Sequence, residues 1–159
     1  MEQVLIGPLA DDDWDPAMAL IWRVFLRCNA GDYEQEGIES FLNFISDEHL
    51  RLFCRLDEFE MLGAYLGNRL IGACLLRQGT HISLLFVDTA YQKQGIGKKL
   101  VGYVTELVRS RGGSSLSVNA TPFALDFYHR LGFTDTDSMQ LKDGIRFMPM
   151  VLLLKNADK

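Results

Sequence analysis

The segment Gln92-Lys93-Gln94-Gly95-Ile96-Gly97-Lys98-Lys99 has the residue types of an anion-binding site. Two glycines let the backbone approach a ligand without interference from a Cβ atom. The apolar spacing that follows predicts a helix over residues 95–111, whose first N–H groups and positive dipole end would face the segment. Three lysines add charge, so the expected ligand is a phosphate or a pyrophosphate.

Two common phosphate motifs do not fit this segment. A Walker loop needs G-x-x-x-x-G-K-[ST], and no Ser or Thr follows Lys98. A Rossmann fingerprint needs a third Gly or Ala where Leu100 stands, and it should follow the first strand of the fold. A glycine-rich turn with solvated lysines is the non-functional interpretation of the same residues.

Other nucleophiles and metal ligands are scattered along the chain. The chain has three cysteines and three histidines, at Cys28, Cys54, Cys74, His49, His81 and His129. They form no C-x-x-C or H-x-x-x-H pair, and this argues against a zinc site. The odd cysteine count argues against a disulfide framework and, with no basic region at the start of the chain, favours the reducing cytoplasm. We therefore expect a cytoplasmic protein without a metal.

The elements that must position the segment follow from the apolar periodicity. It predicts seven strands and four helices in the order β-α-α-β-β-β-α-β-α-β-β. The strands are expected at residues 3–9, 61–66, 70–77, 81–88, 114–119, 133–138 and 146–154. The helices are expected at residues 15–28, 34–45, 95–111 and 121–131, whereas residues 47–55 are ambiguous. Without a linker or an internal repeat, residues 1–159 are expected to form a single α+β domain with a mixed sheet.

The composition bounds the function classes. A length of 159 residues with 48% hydrophobic residues suits one ordinary domain, and no apolar run reaches the roughly 18 residues of a membrane span. The net charge of -5 is uneven, because residues 1–67 contain 14 acidic and 4 basic side chains and residues 68–159 contain 7 acidic and 12 basic ones. One interpretation is that the acidic and basic halves of the chain bind different partners. The other is that surface charge simply drifts along the chain. No basic aromatic patch suggests nucleic acid.

A second block joins the glycine segment. The pattern Q-x-x-G-x-G after a strand ending Leu-Phe-Val-Asp, and the block ALDFYHRLGF at residues 124–133, resemble the acyl-CoA-binding loop and the A-x-x-[FL]-Y-x-x-x-G-F block of the GNAT superfamily, the GCN5-related N-acetyltransferases. The resemblance extends over residues 4–154 and is most specific at 81–133. It implies a layered α/β/α fold with a mixed, mostly antiparallel sheet of about seven strands, four helices and a splayed β4/β5 pair.

The resemblance also implies a set of site residues for acetyl-CoA as co-substrate. The pantetheine arm would pair with backbone groups near Leu85 and Val87, and the Val87 N–H would stabilise the thioester oxygen. Tyr128 would be the general acid for the leaving thiolate, with a purely structural core tyrosine as the alternative. Asn119 would contact pantetheine or a bound water, or merely cap its strand. The full expected cofactor-binding set is Leu85, Phe86, Val87, Gln92, Lys93, Gln94, Gly95, Ile96, Gly97, Lys98, Asn119 and Tyr128.

The general base is less well determined by the sequence. His81 is the titratable residue nearest to the expected site and is the candidate base, although a surface histidine is the alternative. Glutamates at positions 34, 36 and 39 could line the acceptor side, or a chain of water could do the same work.

These observations predict an acetyl-CoA-dependent N-acetyltransferase that acts on a primary amine of a small molecule or peptide. A non-catalytic acyl-CoA-binding module on the same fold, and an unrelated phosphate-binding protein, are the alternatives. The acidic first half suits a cationic amine. Neither nucleic acid nor a membrane is an expected partner, and a homodimer through the C-terminal strands or an apolar surface is compatible with the sequence.

Overall fold

The computed structural model describes residues 3–155, which form a sheet of eight strands with five α-helices against it. The strands are β1 Val4–Pro8, β2 Phe59–Leu66, β3 Arg69–Arg77, β4 His81–Val87, β5 Ser115–Ala120, β6 Thr134–Asp135, β7 Gln140–Lys142 and β8 Ile145–Leu153. The helices are α1 Trp14–Cys28, α2 Gln35–Ser46, α3 Glu48–Arg55, α4 Ile96–Ser110 and α5 Leu125–Arg130. The fold class predicted from the sequence is confirmed.

The strand order is β1-β2-β3-β4-β5-β8-β6, and β7 pairs with β8. Every pairing is antiparallel except that between β4 and β5, which are joined through α4. A parallel pair needs such a crossover connection, whereas hairpins suffice for the antiparallel neighbours.

Two layers of helices cover the two sides of this sheet. On one side, here called the α4 face, Leu100 and Val104 of α4 pack with Cys74, Ile82 and Val118 of the strands. On the other side, here called the α1 face, the apolar side chains of α1, α2 and α3 pack against Met61, Ala73, Leu75 and Leu84. The alternation of side chains along each strand divides the core in this way.

Two predicted stretches differ in detail from the structure. The ambiguous residues 47–55 contain α3, which begins because the Asp47 carboxylate accepts a hydrogen bond from the His49 N–H at 2.9 Å. The strand expected at 133–138 is reduced to the two residues of β6, and β7 is a separate strand. The polar run from Asp135 to Ser138 has too little apolar surface to continue a buried strand. These changes account for eight strands and five helices rather than about seven and four.

The centre of the sheet is split. Between β4 and β5 only His81 pairs with Ser117 and Ile82 with Val118. Directly after these pairs Ser83 is an extra residue in the register with β3, which is a β-bulge that bends the strand. Beyond the bulge β4 stays with β3 and β5 stays with β8. The space between the two diverging strand ends, β4 after Ile82 and β5 after Val118, is called the cleft below.

No helix within residues 3–155 combines the length and the apolar character needed to cross a lipid bilayer.

Candidate active site

One wall of the cleft is a free backbone edge. The Asp88 N–H donates to the Ile71 carbonyl at 2.8 Å, so alternate residues of β4, including Phe86, bond to β3 in this antiparallel register. The N–H and C=O groups of Leu85 and Val87 therefore point away from β3 and into the cleft. Because β4 and β5 no longer pair at this level, the edge can accept an extended ligand as an added strand.

The anion segment lies where this edge meets α4. Lys93 and Gly95 both adopt left-handed backbone conformations, with φ of 63° and 83°, and such alternation turns successive N–H groups into a concavity. The first intrahelical hydrogen bond of α4 runs from the Lys99 N–H to the Gly95 carbonyl at 3.0 Å. The N–H groups of Ile96, Gly97 and Lys98 thus have no acceptor within the helix and are available to an anion.

The two glycines of the segment serve different purposes. Gly95 has open space where a Cβ atom would lie, so its positive φ is what requires glycine. A Cβ at Gly97 would lie 3.1 Å from the Phe127 ring, so this glycine lets α5 pack closely against the start of α4. Lys93 and Lys98 are exposed at the same place and add positive charge to the concavity.

Gln92 holds the end of β4 in place. Its side-chain amide donates to the Val87 carbonyl at 3.0 Å and lies 3.7 Å from the Cys28 sulfur at the end of α1. The Val87 carbonyl is therefore occupied, and the groups left facing the cleft are the Val87 N–H and both backbone groups of Leu85. Gln92 belongs to the cofactor-binding set that the resemblance implies, but no pattern in the sequence indicates this side-chain contact with Val87.

Tyr128 lies on α5 with its ring packed between Phe127 and Phe133, and it is 4% exposed. Burial, with a contribution from Cys74, raises the pKa of Tyr128 well above its ordinary value, so the hydroxyl stays protonated. Cys74 stands directly opposite Leu85 in the register of β3 and β4. The phenol is therefore held near the free edge on the α4 face.

The Tyr128 hydroxyl makes no hydrogen bond to residues 3–155, so no protein group in that range competes with a ligand for it. A protonated, unengaged hydroxyl beside the cleft has the properties of a proton donor to a ligand.

Asn119 and Phe86 point to the opposite side from Tyr128. Asn119 alternates with the buried residues Val118 and Ala120 of β5 and is exposed, although its strand is in the middle of the sheet. Phe86 packs on the α1 face, with its ring 5.8 Å from that of Phe41. The cleft is thus open to both faces of the sheet, and these two residues border its α1 side.

His81 lies at the closed end of the cleft. It is six residues from Val87 along β4, which corresponds to about 20 Å. Its ring bonds to the Ser117 hydroxyl at 2.8 Å, and burial together with nearby Arg77 lowers the pKa of His81 to about 4. The histidine expected as a base is therefore both distant from the free edge and weakly basic.

The α1 side of the cleft is largely aromatic. The Phe25 ring stacks on Phe41 at 4.0 Å and meets the Tyr33 ring edge-on at 4.9 Å. Burial and the neighbouring Asp32 raise the pKa of Tyr33 to about 12, so this phenol is a donor rather than a base. The turn between β7 and β8 lies against α2, where the Ser40 hydroxyl donates to the Asp143 carbonyl at 3.2 Å.

The arrangement fits acetyl-CoA on two independent counts. An extended arm with amide groups matches the free backbone groups of Leu85 and Val87, and a pyrophosphate matches the amide concavity at the start of α4. Within residues 3–155 no group of three or more His, Cys, Asp or Glu side chains could hold a metal ion.

Comparison with known proteins agrees with this geometry. The acetyltransferase (GNAT) domain family matches residues 29–154 of the chain. A Bacillus subtilis protein named as an acetyltransferase is 26% identical over 125 residues, which cover 72% of this chain and 83% of that protein.

Two solved structures share the fold. A GCN5-related N-acetyltransferase from Rhodopseudomonas palustris has a TM-score of 0.82 and 23% identity, and the match covers 97% of this chain and 98% of that one. The PaiA N-acetyltransferase of Thermoplasma acidophilum, solved in complex with coenzyme A, has a TM-score of 0.80 and 22% identity, with 95% and 99% covered. With a split sheet, an amide concavity and a family match over most of its length, the chain belongs to the GNAT acetyltransferase family.

Proposed function

We propose that the protein transfers the acetyl group of acetyl-CoA directly to a primary amine of a small molecule or peptide. The observation that supports this most strongly is the free backbone edge at Leu85 and Val87, which ends at the amide concavity of α4. A cofactor with an amide-bearing arm and a pyrophosphate engages both features at once.

Two groups of this chain would act on the reacting thioester. When bound, acetyl-CoA supplies an activated acetyl group. The Val87 N–H donates a hydrogen bond to the carbonyl oxygen, where negative charge grows as the amine attacks. The Tyr128 hydroxyl, which burial keeps protonated, gives a proton or a strong hydrogen bond to the departing sulfur.

The acceptor would reach the acetyl group from the α1 side of the cleft. Glu34, Glu36 and Glu39 are exposed at the start of α2 and favour a cationic amine. Because His81 lies at the closed end of the cleft and is weakly basic, we propose that the ammonium group loses its proton to water on this side instead. The reaction would then become faster as the pH approaches the pKa of the amine.

We also propose that the protein works in a reducing compartment such as the cytoplasm, because Cys28, Cys54 and Cys74 are free thiols. A homodimer stays a prediction that sedimentation of the purified protein would test.

The test is thiol release from acetyl-CoA in the presence of a panel of primary amines. In the variant Tyr128→Phe we expect kcat to fall about 100-fold, because the proton donor is lost. The dissociation constant for CoA should change less than about threefold, since the ring remains. The matched control is Tyr103→Phe on α4, which packs against the same core and should leave kcat unchanged.

Each outcome has a distinct meaning. Full activity of the Tyr128→Phe variant removes Tyr128 from the mechanism. If acetyl-CoA binds but no amine promotes thiol release, the protein is a non-catalytic acyl-CoA-binding module. If CoA causes no thermal shift, the concavity serves another phosphate ligand.

A further inference from the structure

Asn29 is the one polar residue in the described part of the chain that is buried, with 6% of its surface exposed. It directly follows α1, and its backbone N–H and C=O groups are used by Phe25 at 2.9 Å and by Asp32 at 3.0 Å. Burying a carboxamide costs free energy unless it is hydrogen-bonded. The Asn29 side chain is therefore expected to have hydrogen-bond partners.

The side chain of Asn29 reaches across to the far wall of the cleft. Its Nδ2 donates to the Thr121 hydroxyl oxygen at 3.1 Å, and Thr121 is the first residue after β5. The preceding residue, Cys28, contacts the Gln92 amide that holds Val87 of β4. The end of α1 is thus linked to the end of β5 through Thr121 and to the end of β4 through Gln92.

The other half of the Asn29 carboxamide is not engaged. Its Oδ1 takes no hydrogen bond from residues 3–155 that is seen in the structure, while every fully buried side-chain nitrogen or oxygen there has a partner. Within residues 3–155, Oδ1 is therefore the part of this side chain that no protein donor occupies. An acceptor atom held rigid by Thr121 is suited to a ligand that carries N–H donors.

The surroundings favour an amine over other donors. The last carbonyls of α1 carry the negative end of the helix dipole, which attracts a positive group. A carboxamide is neutral, so it can orient an amine without stabilising the ammonium form as a carboxylate would. That combination suits a group that must bind as a cation and react as a free base.

We propose that Asn29 is an acceptor-binding residue whose Oδ1 accepts a hydrogen bond from a primary alkyl amine entering between the ends of β4 and β5. Thr121 acts through Asn29 as a positioning residue, because its hydroxyl fixes the carboxamide. This assignment rests on the acetyltransferase activity proposed above and names the group that would hold the acceptor.

The test uses steady-state kinetics with n-butylamine, putrescine and alanylalanine as acceptors. In Asn29→Ala we expect the KM for the best acceptor to rise about tenfold or more, as for the loss of one hydrogen bond. The dissociation constant for CoA, measured by calorimetry, should change less than about twofold. Asn43→Ala, an exposed asparagine on α2, is the matched control and should change neither value.

Two further variants separate binding from folding. Asn29→Asp keeps the shape of the side chain, and its carboxylate should move the acidic limb of the kcat profile, measured at saturating amine, upward by about one pH unit, because it stabilises the bound ammonium form. Thr121→Val should raise the acceptor KM in the same direction as Asn29→Ala, with a smaller effect. A merely structural Asn29 would not move the pH profile.

Two results would overturn the assignment. If wild-type protein turns over an amine while Asn29→Asp and Thr121→Val leave both the acceptor KM and the pH profile unchanged, Asn29 does not bind the acceptor, and the proposed function stands. If wild-type protein turns over no amine, the proposed function fails and this assignment fails with it.

Discussion

Gln92 joins three parts of the site through one side-chain amide. The amide nitrogen holds the Val87 carbonyl at 3.0 Å and lies near the Cys28 sulfur, and the residue itself begins the anion segment. Fixing the Val87 carbonyl also fixes the peptide plane that follows it and steadies the strand end that carries the proposed oxyanion donor. A preorganised donor stabilises developing charge without reorganising during the reaction.

The variant Gln92→Leu tests this role. We expect kcat to fall about tenfold because the end of β4 is no longer held, a loss of about 1.4 kcal/mol of transition-state stabilisation. CoA affinity should change less than about threefold, since the amide concavity is formed by the backbone. Gln94→Leu is the matched control, because Gln94 is exposed in the same segment. Equal losses of kcat in the two variants would contradict a specific role for Gln92.

At the scale of elements, α2 and the β7–β8 turn form a roof over the α1 side of the cleft. A Cβ at Gly37 would lie 2.2 Å from the Gly144 carbonyl oxygen, so the two backbones are in direct contact. The φ of 78° at Gly144 is a left-handed turn conformation that favours glycine. The position of this turn therefore depends on two glycines.

The substitution Gly37→Ala should move the β7–β8 turn away from α2, because the new Cβ atom would clash with the backbone of Gly144. We expect the acceptor KM to rise while CoA affinity is kept, and the free energy of unfolding to fall by about 1–3 kcal/mol, as in other overpacked sites. The control is Gly102→Ala on α4, where a Cβ has open space. Because alanine is favoured over glycine inside a helix, this variant should raise the free energy of unfolding by about 0.5–1 kcal/mol. Urea denaturation and acceptor kinetics of both variants provide the measurement, and an unchanged acceptor KM in Gly37→Ala would show that the roof does not shape the site.

The elements also show what sequence patterns can and cannot predict. The helix at α4 and the strand at β4 were predicted within a few residues, because their apolar spacing is strong and glycine or Asp ends them. The contact of Asn29 with Thr121 spans 92 positions and leaves no periodic signal, so the sequence alone does not predict it. The short strands β6 and β7 are defined by their pairing with β8 rather than by their own composition.

At the scale of the whole molecule, the uneven charge of the sequence does not come from the helices. The helices α1, α2 and α3 together contain four acidic and four basic side chains, so the acidic excess of the first half lies mainly in connecting segments such as Asp11–Asp13. The lysines Lys93, Lys98 and Lys99 lie at or just before the start of α4 and favour an anionic cofactor there. The three exposed carboxylates of Glu34, Glu36 and Glu39 remain the local acidic group that would favour a cationic acceptor.

His81 makes the stability of the whole fold depend on pH. Its pKa is about 4 in the folded chain, below the ordinary value of about 6.5, so between these two values the unfolded chain binds a proton that the folded chain does not. The free energy of unfolding therefore decreases as the pH falls from about 7 to about 4. Because His81 is partly exposed and screened, we expect its share of this loss at pH 5 to be about 1 kcal/mol.

The variant His81→Gln tests this share, because glutamine keeps a hydrogen-bond partner for Ser117 but does not titrate. The free energy of unfolding would be measured by urea denaturation at pH 7 and at pH 5. Its decrease between the two pH values should be smaller in His81→Gln than in wild type, by about 1 kcal/mol. The exposed His49, changed to Gln, is the control, and a loss in His81→Gln as large as in wild type would show that this histidine does not couple folding to pH.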